Sequence, residues 1–300
     1  MVSFDSEFAQ VYALPLAKAA YVSTNPPDGF TSSQNAFNIL ADTSHPDYLT
    51  QLSKSSDQHK RMMQSMLAQR VKPLFEDAEN VGQEILINAV PNPQPNLHFG
   101  WVCMDAAKQR LVVALRGTEY FHDWLDNLDL IPAPYAPIPG SGMVHQGFQL
   151  VYYAIRNNLR QIVQKVVQNQ AQQLREIFIT GHSLGGALAG LAAPDLVNDV
   201  AAKLSPTVYT FAEPNVGHSD FTDFYNSRVN VCYRVVNMWD LVPHLPPSQA
   251  GYDHEGTPLS IDSGFSLDVV RNHVIVTGYI PGVAALNQKS EAALPAMAGR

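Results

Sequence analysis

A serine lies between two glycines at the point where an apolar run of the sequence changes into a stretch of small residues. Ser183 is the centre of the pentapeptide Gly-His-Ser-Leu-Gly, which follows the apolar residues 177–179 and precedes a segment rich in Ala, Gly and Leu. This strand–turn–helix order is the context in which a Gly-x-Ser-x-Gly motif exposes a nucleophilic hydroxyl. The helix dipole then points at that hydroxyl. The pattern therefore predicts that Ser183 is a nucleophile, and a chance match in a glycine-containing loop is disfavoured.

A serine hydroxyl attacks at neutral pH only when a base takes its proton, and that base needs an orienting carboxylate. Asp240 directly follows the predicted strand 231–236, so its carboxylate should lie at the carboxyl edge of the sheet beside Ser183. Its neighbours are apolar, and a carboxylate in such surroundings requires a partner. We therefore predict Asp240 as the orienting acid. The other downstream carboxylates are disfavoured. Asp195 and Asp199 lie on the helix that follows Ser183 and point the wrong way, and the rest lie beyond the last clear strand: Asp253, Asp262 and Asp268.

Four histidines follow the serine and compete for the role of base. His218 stands at a predicted helix start, where a capping or surface role suffices. His244 is only four residues after Asp240, which is too close for a separate loop to carry it over the serine. His273 heads the last apolar segment, which could anchor it, and we favour it as the base. His254, in a polar loop, stays open as the alternative.

The negative oxygen that forms during acyl transfer needs two N–H donors aimed at it in advance. The amide of Leu184 directly follows the nucleophile and should be one donor. The other should come from the loop after an earlier strand, where Arg116-Gly117-Thr118 contains a suitable glycine. Thr118 could contribute both its amide and its hydroxyl, and the same residue could also cap a following helix.

Composition and charge exclude several classes of function. The 300 residues carry a net charge of −8 and no run of Lys or Arg, so we expect no nucleic-acid partner. No apolar run approaches the roughly 20 residues of a membrane span. Cys103 and Cys232 both lie in strand-like runs, which suits reduced core thiols. No metal-ligand spacing is found, so neither a metal nor another cofactor is expected.

The N-terminal residues predict where the protein resides. Residues 1–7 are acidic and lack the basic-then-apolar order of a secretory signal. We therefore expect a cytoplasmic location unless a signal has been removed, in which case the protein would be secreted.

Alternating strand and helix patterns predict an α/β protein with a mostly parallel central sheet and helices on both faces, in one domain over residues 1–300. Residues 119–128 form an amphipathic helical pattern, with Phe121, Trp124, Leu125 and Leu128 on one face. A proline-rich loop is predicted at 132–139, and a long connection at 248–266. The remaining predictions are helices at 4–22, within a helical insertion at about 45–76, and at 144–170, and strands at 85–87, 97–104, 111–115, 207–211 and 231–236.

These features together resemble the class 3 lipase family, the fungal-type lipases of the α/β-hydrolase fold. The resemblance spans about residues 85–280 and rests on five blocks in the order of the family: Arg116-Gly117-Thr118 with Asp123-Trp124-Leu125, Val144 to Phe148, Gly181 to Ala187, Ala212 to Gly217, and Asp240 to Pro243. Two positions depart from it. Asn215 stands where the family usually has arginine, and Tyr279 follows His273 at a longer distance than usual.

The resemblance implies a serine ester hydrolase, most simply a lipase that cleaves acylglycerol esters through Ser183, Asp240 and His273. It makes Thr118 and Leu184 the oxyanion donors and residues 119–131 a lid, through which the protein would contact a lipid interface. His145 and His182 would be structural supports. A feruloyl esterase, a phospholipase A1 or another carboxylesterase remains an alternative on the same fold, and a non-catalytic binding protein is a remote one.

Overall fold

Strands and helices alternate along the computed structural model, which describes residues 4–22, 37–68, 97–117 and 130–297. The strands in these residues are β1 (Phe37–Leu40), β2 (His98–Asp105), β3 (Arg110–Leu115), β4 (Pro132–Pro134), β5 (Met143–His145), β6 (Glu176–His182), β7 (Ser205–Phe211), β8 (Gly217–His218), β9 (Val231–Asn237), β10 (Tyr252–Asp253) and β11 (Thr257–Ile261). The helices are α1 (residues 6–22, with a π-helical turn at Ala9–Ala13), α2 (Pro46–Lys54), α3 (Asp57–Ala68), α4 (Gln146–Gln170), α5 (Leu184–Asn198), α6 (Ser219–Arg228), α7 (Val269–His273) and α8 (Ile280–Met297). A second π-helical turn, Ile275–Tyr279, joins α7 to α8.

Seven of the strands form the central sheet, in the order β1-β2-β3-β6-β7-β9-β11. The five strands from β3 to β11 pair in parallel, while β1 and β2 add an antiparallel edge. Because parallel strands end at the same edge, residues that follow β6 and β9 are brought together there. The predicted mostly parallel sheet is confirmed.

Both faces of the sheet are covered, because successive residues of a strand point to opposite sides. On β3, Val113 packs into the core shared with α4 and α5, whereas Val112 packs into the core shared with α1 and α8. Phe178 on β6 is fully buried in the second core. Burying such a side chain contributes about 1.5–3 kcal/mol to folding. The predicted layers of helices on both faces are confirmed.

A buried ion pair joins the two helices on one face of the sheet. Asp195 of α5 accepts from Arg156 Nε at 2.7 Å and Nη2 at 2.8 Å, and from the Tyr152 hydroxyl at 2.7 Å, both residues of α4. Arg160 adds a third basic contact at 2.8 Å. Asp195 thus faces α4, as its position in the sequence predicted, and takes no part in the site.

Two predicted connections turned out to contain strands. Within 132–139, predicted as a loop crossing the surface, Pro132–Pro134 forms β4 at the edge of a small antiparallel sheet ordered β10-β8-β5-β4. The Tyr135 amide donates to the Gly142 carbonyl, and the Ile131 carbonyl accepts from the Gln146 amide. The nitrogens of Pro132 and Pro134 therefore face away from β5, where the absence of an N–H group removes no hydrogen bond of the sheet. Within 248–266, β11 is the seventh strand of the central sheet. Its Leu259 and Ile261 pack inward while Ser260 between them is polar and exposed, a weak pattern typical of an edge strand.

Within the segment 45–76, residues 46–54 and 57–68 form the helices α2 and α3, and Met63 is buried in the core. Residues 69–76, the predicted strand 85–87 and the predicted helix 119–128 lie outside the described residues.

Candidate active site

The predicted nucleophile, Ser183, lies on a strained turn between β6 and α5. Ser183 has φ 59° and ψ −129°, a conformation that costs about 1–3 kcal/mol and persists only where its surroundings impose it. A Cβ on Gly181 would stand 2.1 Å from the Gly185 carbonyl oxygen, and one on Gly185 would stand 2.3 Å from the Leu115 carbonyl oxygen. Both glycines are therefore required by close backbone contacts, as the sequence predicted.

Ser183, His273 and Asp240 form one hydrogen-bonded chain, although they come from three separate parts of the sequence. The Ser183 Oγ lies 2.8 Å from His273 Nε2, and His273 Nδ1 lies 2.9 Å from Asp240 Oδ2. All three side chains are buried. With Nδ1 donating to the carboxylate, Nε2 is left to accept the serine proton. The structure thus brings together the three residues that the sequence singled out for proton transfer and nucleophilic attack.

The Asp240 carboxylate is held by two further donors. The Val242 amide donates to Oδ1 at 3.0 Å, and the Tyr279 hydroxyl donates to Oδ2 at 2.7 Å. Burial, followed by the charge of Asp240, raises the pKa of Tyr279 well above its usual value, so its hydroxyl stays protonated and can donate. Three donors on one carboxylate supply the partners that its buried position demands.

Tyr279 was not predicted to belong to the site. It stands six positions after His273, at the end of the π-helical turn. That wider turn places the hydroxyl over Asp240, and the hydroxyl also accepts from the Asn237 amide at 3.3 Å. The only sequence signal was a tyrosine soon after the histidine.

Replacing Tyr279 by phenylalanine should lower kcat/KM on an ester by about tenfold to a hundredfold, the worth of a hydrogen bond to a charged group. The loss comes from a carboxylate that is held less firmly in position against His273. Because the Asp240 charge is no longer shared with the hydroxyl, the protonated ring is favoured, and the acid limb of the pH–rate profile should move to higher pH. Steady-state kinetics from pH 5 to 9 measure both effects. Tyr225→Phe, which removes a buried hydroxyl bonded to Cys232 Sγ at 3.5 Å, is the matched control. An unshifted acid limb would show that Tyr279 only fills space.

The backbone that carries the base is held at two consecutive carbonyls. The His273 carbonyl accepts from His182 Nε2 at 2.7 Å, and the Asn272 carbonyl accepts from Asn237 Nδ2 at 2.8 Å. Asn237 Nδ2 also reaches Ser263 Oγ at 2.9 Å. Helix α7 has only five residues, so these contacts with the ends of β6 and β9 fix the position of the imidazole.

His182 is a structural support, as the resemblance implied. A carbonyl can only accept, so His182 Nε2 carries the proton and Nδ1 accepts from the Tyr21 hydroxyl at 2.9 Å. Burial, followed by the charge of His273, holds the pKa of His182 well below its usual value. His182 therefore stays neutral. The contact with α1 through Tyr21 had no signal in the sequence.

The oxyanion donors are only partly within the described residues. Leu184 is the first residue of α5, so its N–H has no carbonyl partner inside the helix. The loop after β3 reaches the nucleophile, since a Cβ on Gly117 would stand 3.2 Å from Ser183 Cβ. Thr118 comes next in the chain and lies outside the described residues, as do Phe121, Trp124, Leu125 and Leu128 of the predicted lid. Their roles stay predictions.

The remaining histidines have other contacts. His254 Nε2 lies 2.6 Å from the Pro243 carbonyl oxygen, whereas His273 Nε2 faces Ser183 Oγ. Burial and the charge of Arg234 lower the pKa of His254 to about 3. His145 caps α4 by accepting from the Phe148 amide at 3.2 Å, a structural role. His244 is exposed in the turn after Asp240.

Asn215, which replaces the usual arginine of the family pattern, fastens the loop beyond the acid. Its amide nitrogen donates to the Leu245 carbonyl and its Nδ2 to the Pro246 carbonyl, both at 2.8 Å.

The described residues contain neither a metal-binding cluster nor a membrane-spanning helix. No cluster of His, Cys, Asp or Glu among the described residues is placed to bind a metal ion. Cys103 and Cys232 are buried free thiols. None of the described helices is both long and apolar enough to span a bilayer.

A pair of buried carboxyl groups lies behind the elbow helix. A Cβ on Gly190 of α5 would stand 2.5 Å from Glu255 Oε1 and 2.8 Å from Glu213 Oε1. Thr210 donates to Glu213 Oε2 at 2.6 Å, and Arg234 Nε donates to the Glu255 carbonyl oxygen at 2.6 Å. Burial, followed by the charge of Glu255, raises the pKa of Glu213 well above its usual value. Burial raises the pKa of Glu255 as well, so this pair of carboxyl groups holds a proton more tightly than exposed carboxyl groups would.

Glu213→Gln should make the protein relatively more stable as pH rises. Because the pKa of Glu213 is raised in the folded state, the native protein loses stability as pH climbs from the usual value of 4.5 toward the folded value. The amide does not titrate. The thermal midpoint of the variant, measured relative to that of the native protein, should therefore rise as the pH is raised from 4.5 to 8. Glu7→Gln corrects for net charge. A gap that stays constant with pH would contradict the assignment.

Part of this chain is similar in sequence to known lipases and to a phospholipase. Residues 112–250 match the family model described as Lipase (class 3). The chain is 33% identical over 152 residues to a lipase from Rhizomucor miehei, across 50% of this chain and 41% of that protein. It is 35% identical over 177 residues to phospholipase A1-II 1 from Oryza sativa subsp. indica, across 53% of this chain and 44% of that protein. Lipase II from Rhizopus niveus superposes with a TM-score of 0.51 at 27% identity, across 59% of this chain and 72% of that structure.

The chain thus spans less than half the length of the two sequence relatives. The solved lipase structure and the sheet order establish the fold as that of the α/β-hydrolases.

Proposed function

We propose that this chain, whose residues 112–250 match the class 3 lipase model, belongs to that family and is a serine hydrolase that cleaves acylglycerol esters. The observation that carries the proposal is the buried chain from Ser183 Oγ through His273 to Asp240, with gaps of 2.8 and 2.9 Å. Hydroxyl, imidazole and carboxylate in this order can activate a nucleophile without a metal or a cofactor.

The first step forms an acyl-enzyme. His273 Nε2 takes the proton of Ser183 as its Oγ attacks the ester carbonyl carbon, and the Leu184 amide and Thr118 stabilise the resulting oxyanion. Asp240 stabilises the imidazolium through Nδ1. The carbonyl then re-forms, the ester oxygen leaves, and His273 returns the proton to it, which releases the alcohol.

The second step repeats the sequence with water. His273 takes a proton from the water that attacks the acyl-enzyme, and returns it to Ser183 Oγ as the acid departs. Both steps need an imidazole that is neutral before attack, so activity should fall as the solution becomes acidic enough to protonate it.

A lid over residues 119–131 would suit a substrate that gathers in a water-poor phase. The apolar face of Phe121, Trp124, Leu125 and Leu128 would cover the serine in water and turn onto lipid when the lid opens. The apolar face would then be buried against lipid instead of against the protein, and this burial contributes a few kcal/mol, on the order of the value for apolar side chains.

The proposal is tested by hydrolysis of p-nitrophenyl esters of increasing acyl length and of emulsified triacylglycerol, with fluorophosphonate labelling as an independent readout of the serine. We expect labelling of Ser183, and more activity per enzyme on emulsified than on dissolved ester. Absence of both labelling and hydrolysis would leave a binding protein instead.

Head-group comparison separates the related activities. Faster release of fatty acid from phosphatidylcholine than from triacylglycerol would indicate a phospholipase. Faster cleavage of ethyl ferulate would indicate a feruloyl esterase.

A further inference from the structure

Two buried carboxyl groups that the reaction does not use face each other behind α5. Glu213 is 1% exposed and Glu255 is 0% exposed. One oxygen of each lies within 2.8 Å of the point that a Cβ on Gly190 would occupy, so the two groups converge on one small space. We call these two side chains the carboxyl pair.

The carboxyl pair has more acceptors than the surrounding protein satisfies. Thr210 donates to Glu213 Oε2 at 2.6 Å. Glu213 Oε1 and both oxygens of Glu255 receive no hydrogen bond from a donor among the other described residues. Because buried oxygens need a donor, a proton shared within the pair is the partner that their position demands.

The buried charges also balance only when the carboxyl pair keeps one proton. Arg234 is buried, its charge acts on both carboxyl groups, and its Nε donates to the Glu255 carbonyl oxygen at 2.6 Å. One guanidinium, one carboxylate and one carboxylic acid together carry no net charge. Two carboxylates would leave one buried negative charge without a counter-charge, and they would repel each other.

The other titratable groups near the carboxyl pair do not change this balance. Cys232 of β9 and Tyr225 of α6 stay neutral, because burial raises the pKa of each well above its usual value. His254 is neutral as well, since burial and the charge of Arg234 lower its pKa to about 3. Asp253 of β10 is exposed, and its negative charge favours a retained proton on the pair.

The carboxyl pair packs against the turn that carries Ser183. A Cβ on Gly186 would stand 3.0 Å from Glu213 Cβ, so the stem of Glu213 lies against the first turn of α5. The Gly186 amide donates to the Ser183 carbonyl at 2.8 Å. Two residues before Glu213, the Phe211 carbonyl accepts from the Ser183 amide at 2.9 Å. A displacement of Glu213 would therefore reach Ser183 both through the helix and through the end of β7.

The same segment is fastened to the loop that follows the acid. Asn215, two residues after Glu213, donates through its amide and its Nδ2 to the Leu245 and Pro246 carbonyls, both at 2.8 Å. The position of Glu213 is thus linked to the loop that begins at Asp240 as well as to the nucleophile.

We propose that the carboxyl pair positions Ser183, and that it holds the strained turn in its reactive geometry only while the two groups share one proton. The inference rests on the proposed function, because its readout is ester hydrolysis through Ser183. Ionisation of both groups would separate Glu213 from Glu255 and loosen the first turn of α5, which carries the Leu184 amide. The reaction would then have an alkaline limit set by the carboxyl pair, beside the acid limit set by His273.

The test compares the full chain with Glu255→Gln and, separately, with Glu213→Gln in the hydrolysis of a dissolved short-chain ester from pH 6 to 10. We expect kcat of the parent to fall reversibly at alkaline pH by about tenfold to a hundredfold, the effect of a slightly misplaced reacting group. In either variant an amide N–H replaces the shared proton at every pH, and the remaining carboxylate still balances Arg234. The alkaline fall should therefore disappear in both variants.

The matched control is Glu7→Gln, which removes the same charge from an exposed carboxylate and should keep the alkaline fall of the parent. Infrared difference spectroscopy reports the shared proton directly. The carbonyl band of a protonated carboxyl group should be present in the parent near neutral pH, vanish over the same pH range as kcat, and be missing from both Gln variants. The rate of fluorophosphonate labelling of Ser183 should fall in parallel, while near-UV circular dichroism should show that the parent stays folded.

An alkaline fall that is the same in the parent and in both Gln variants would overturn the proposal. A fall that coincides with loss of the folded spectrum would overturn it too, since the protein would then be unfolding. A fall that calcium ions prevent would assign the two carboxylates to a cation in place of the proton, and would count equally against the proposal.

Failure of this inference is distinguishable from failure of the proposed function. A protein that hydrolyses the ester with an alkaline limit that neither Gln variant alters retains the function, and the carboxyl pair loses its positioning role. A protein that neither hydrolyses the ester nor reacts with fluorophosphonate loses the proposed function, even where the infrared band shows a shared proton in the pair.

Discussion

Replacing Ser183 by alanine is expected to lower kcat on a dissolved ester by about 10⁶-fold. The change removes the oxygen that lies 2.8 Å from His273 Nε2, so the base has no hydroxyl to activate and no acyl-enzyme can form. The backbone at position 183 is strained with either residue, and alanine has no greater difficulty with it than serine. We therefore expect the variant to fold. Fluorophosphonate incorporation, measured by intact mass, should be abolished together with turnover.

The matched control is Ser141→Ala. Ser141 is also buried, but its hydroxyl donates to the Ile138 carbonyl in the small sheet region. Turnover and labelling should persist there. If Ser183→Ala kept more than about a thousandth of the native rate, another residue would be the nucleophile.

Replacing Asp240 by asparagine is expected to lower kcat by about 10⁴-fold near neutral pH. The carboxylate accepts from three donors: the His273 ring and the Tyr279 hydroxyl at Oδ2, and the Val242 amide at Oδ1. An amide offers one accepting oxygen and one donating nitrogen. At least one of the present donors must then face another donor, and the imidazolium loses its counter-charge.

The measurement is steady-state hydrolysis of a dissolved ester, with the rate of fluorophosphonate labelling as a second readout that should slow in parallel. Asp253→Asn, at an exposed carboxylate of β10, is the control for the loss of one charge. A loss of less than tenfold in Asp240→Asn would mean that Asp240 only supports the loop and does not orient the base.

The nucleophile and the acid could be predicted because the residues that define them are neighbours in the chain. The strand, the two glycines and the helix around Ser183 occupy one short segment, and Asp240 follows its strand directly. The base was harder to choose, since the position of His273 depends on how α7 packs against the ends of β6 and β9. Chain order and the apolar segment favoured it over His254, and in the structure it is His273 that lies within hydrogen-bonding distance of Ser183.

The supporting residues could not be predicted, because each acts across a long sequence separation. Tyr279 reaches Asp240 only because the chain widens into a π-helical turn, and Tyr21 reaches His182 from a helix 161 residues away. The edge strands β4 and β11 were missed for a different reason. An edge strand buries few side chains and tolerates proline, so its composition is that of a loop.

His182 and Ser183 are adjacent, yet His182 donates to the main-chain carbonyl of His273 while Ser183 donates to its ring. A small motion at the end of β6 would move the Ser183 oxygen and the His273 ring together. The distance between Ser183 Oγ and His273 Nε2 should therefore vary less than the position of either atom. The surrounding loops can therefore change to accept new acyl groups with little effect on the geometry of proton transfer, provided that His182 and Ser183 are kept.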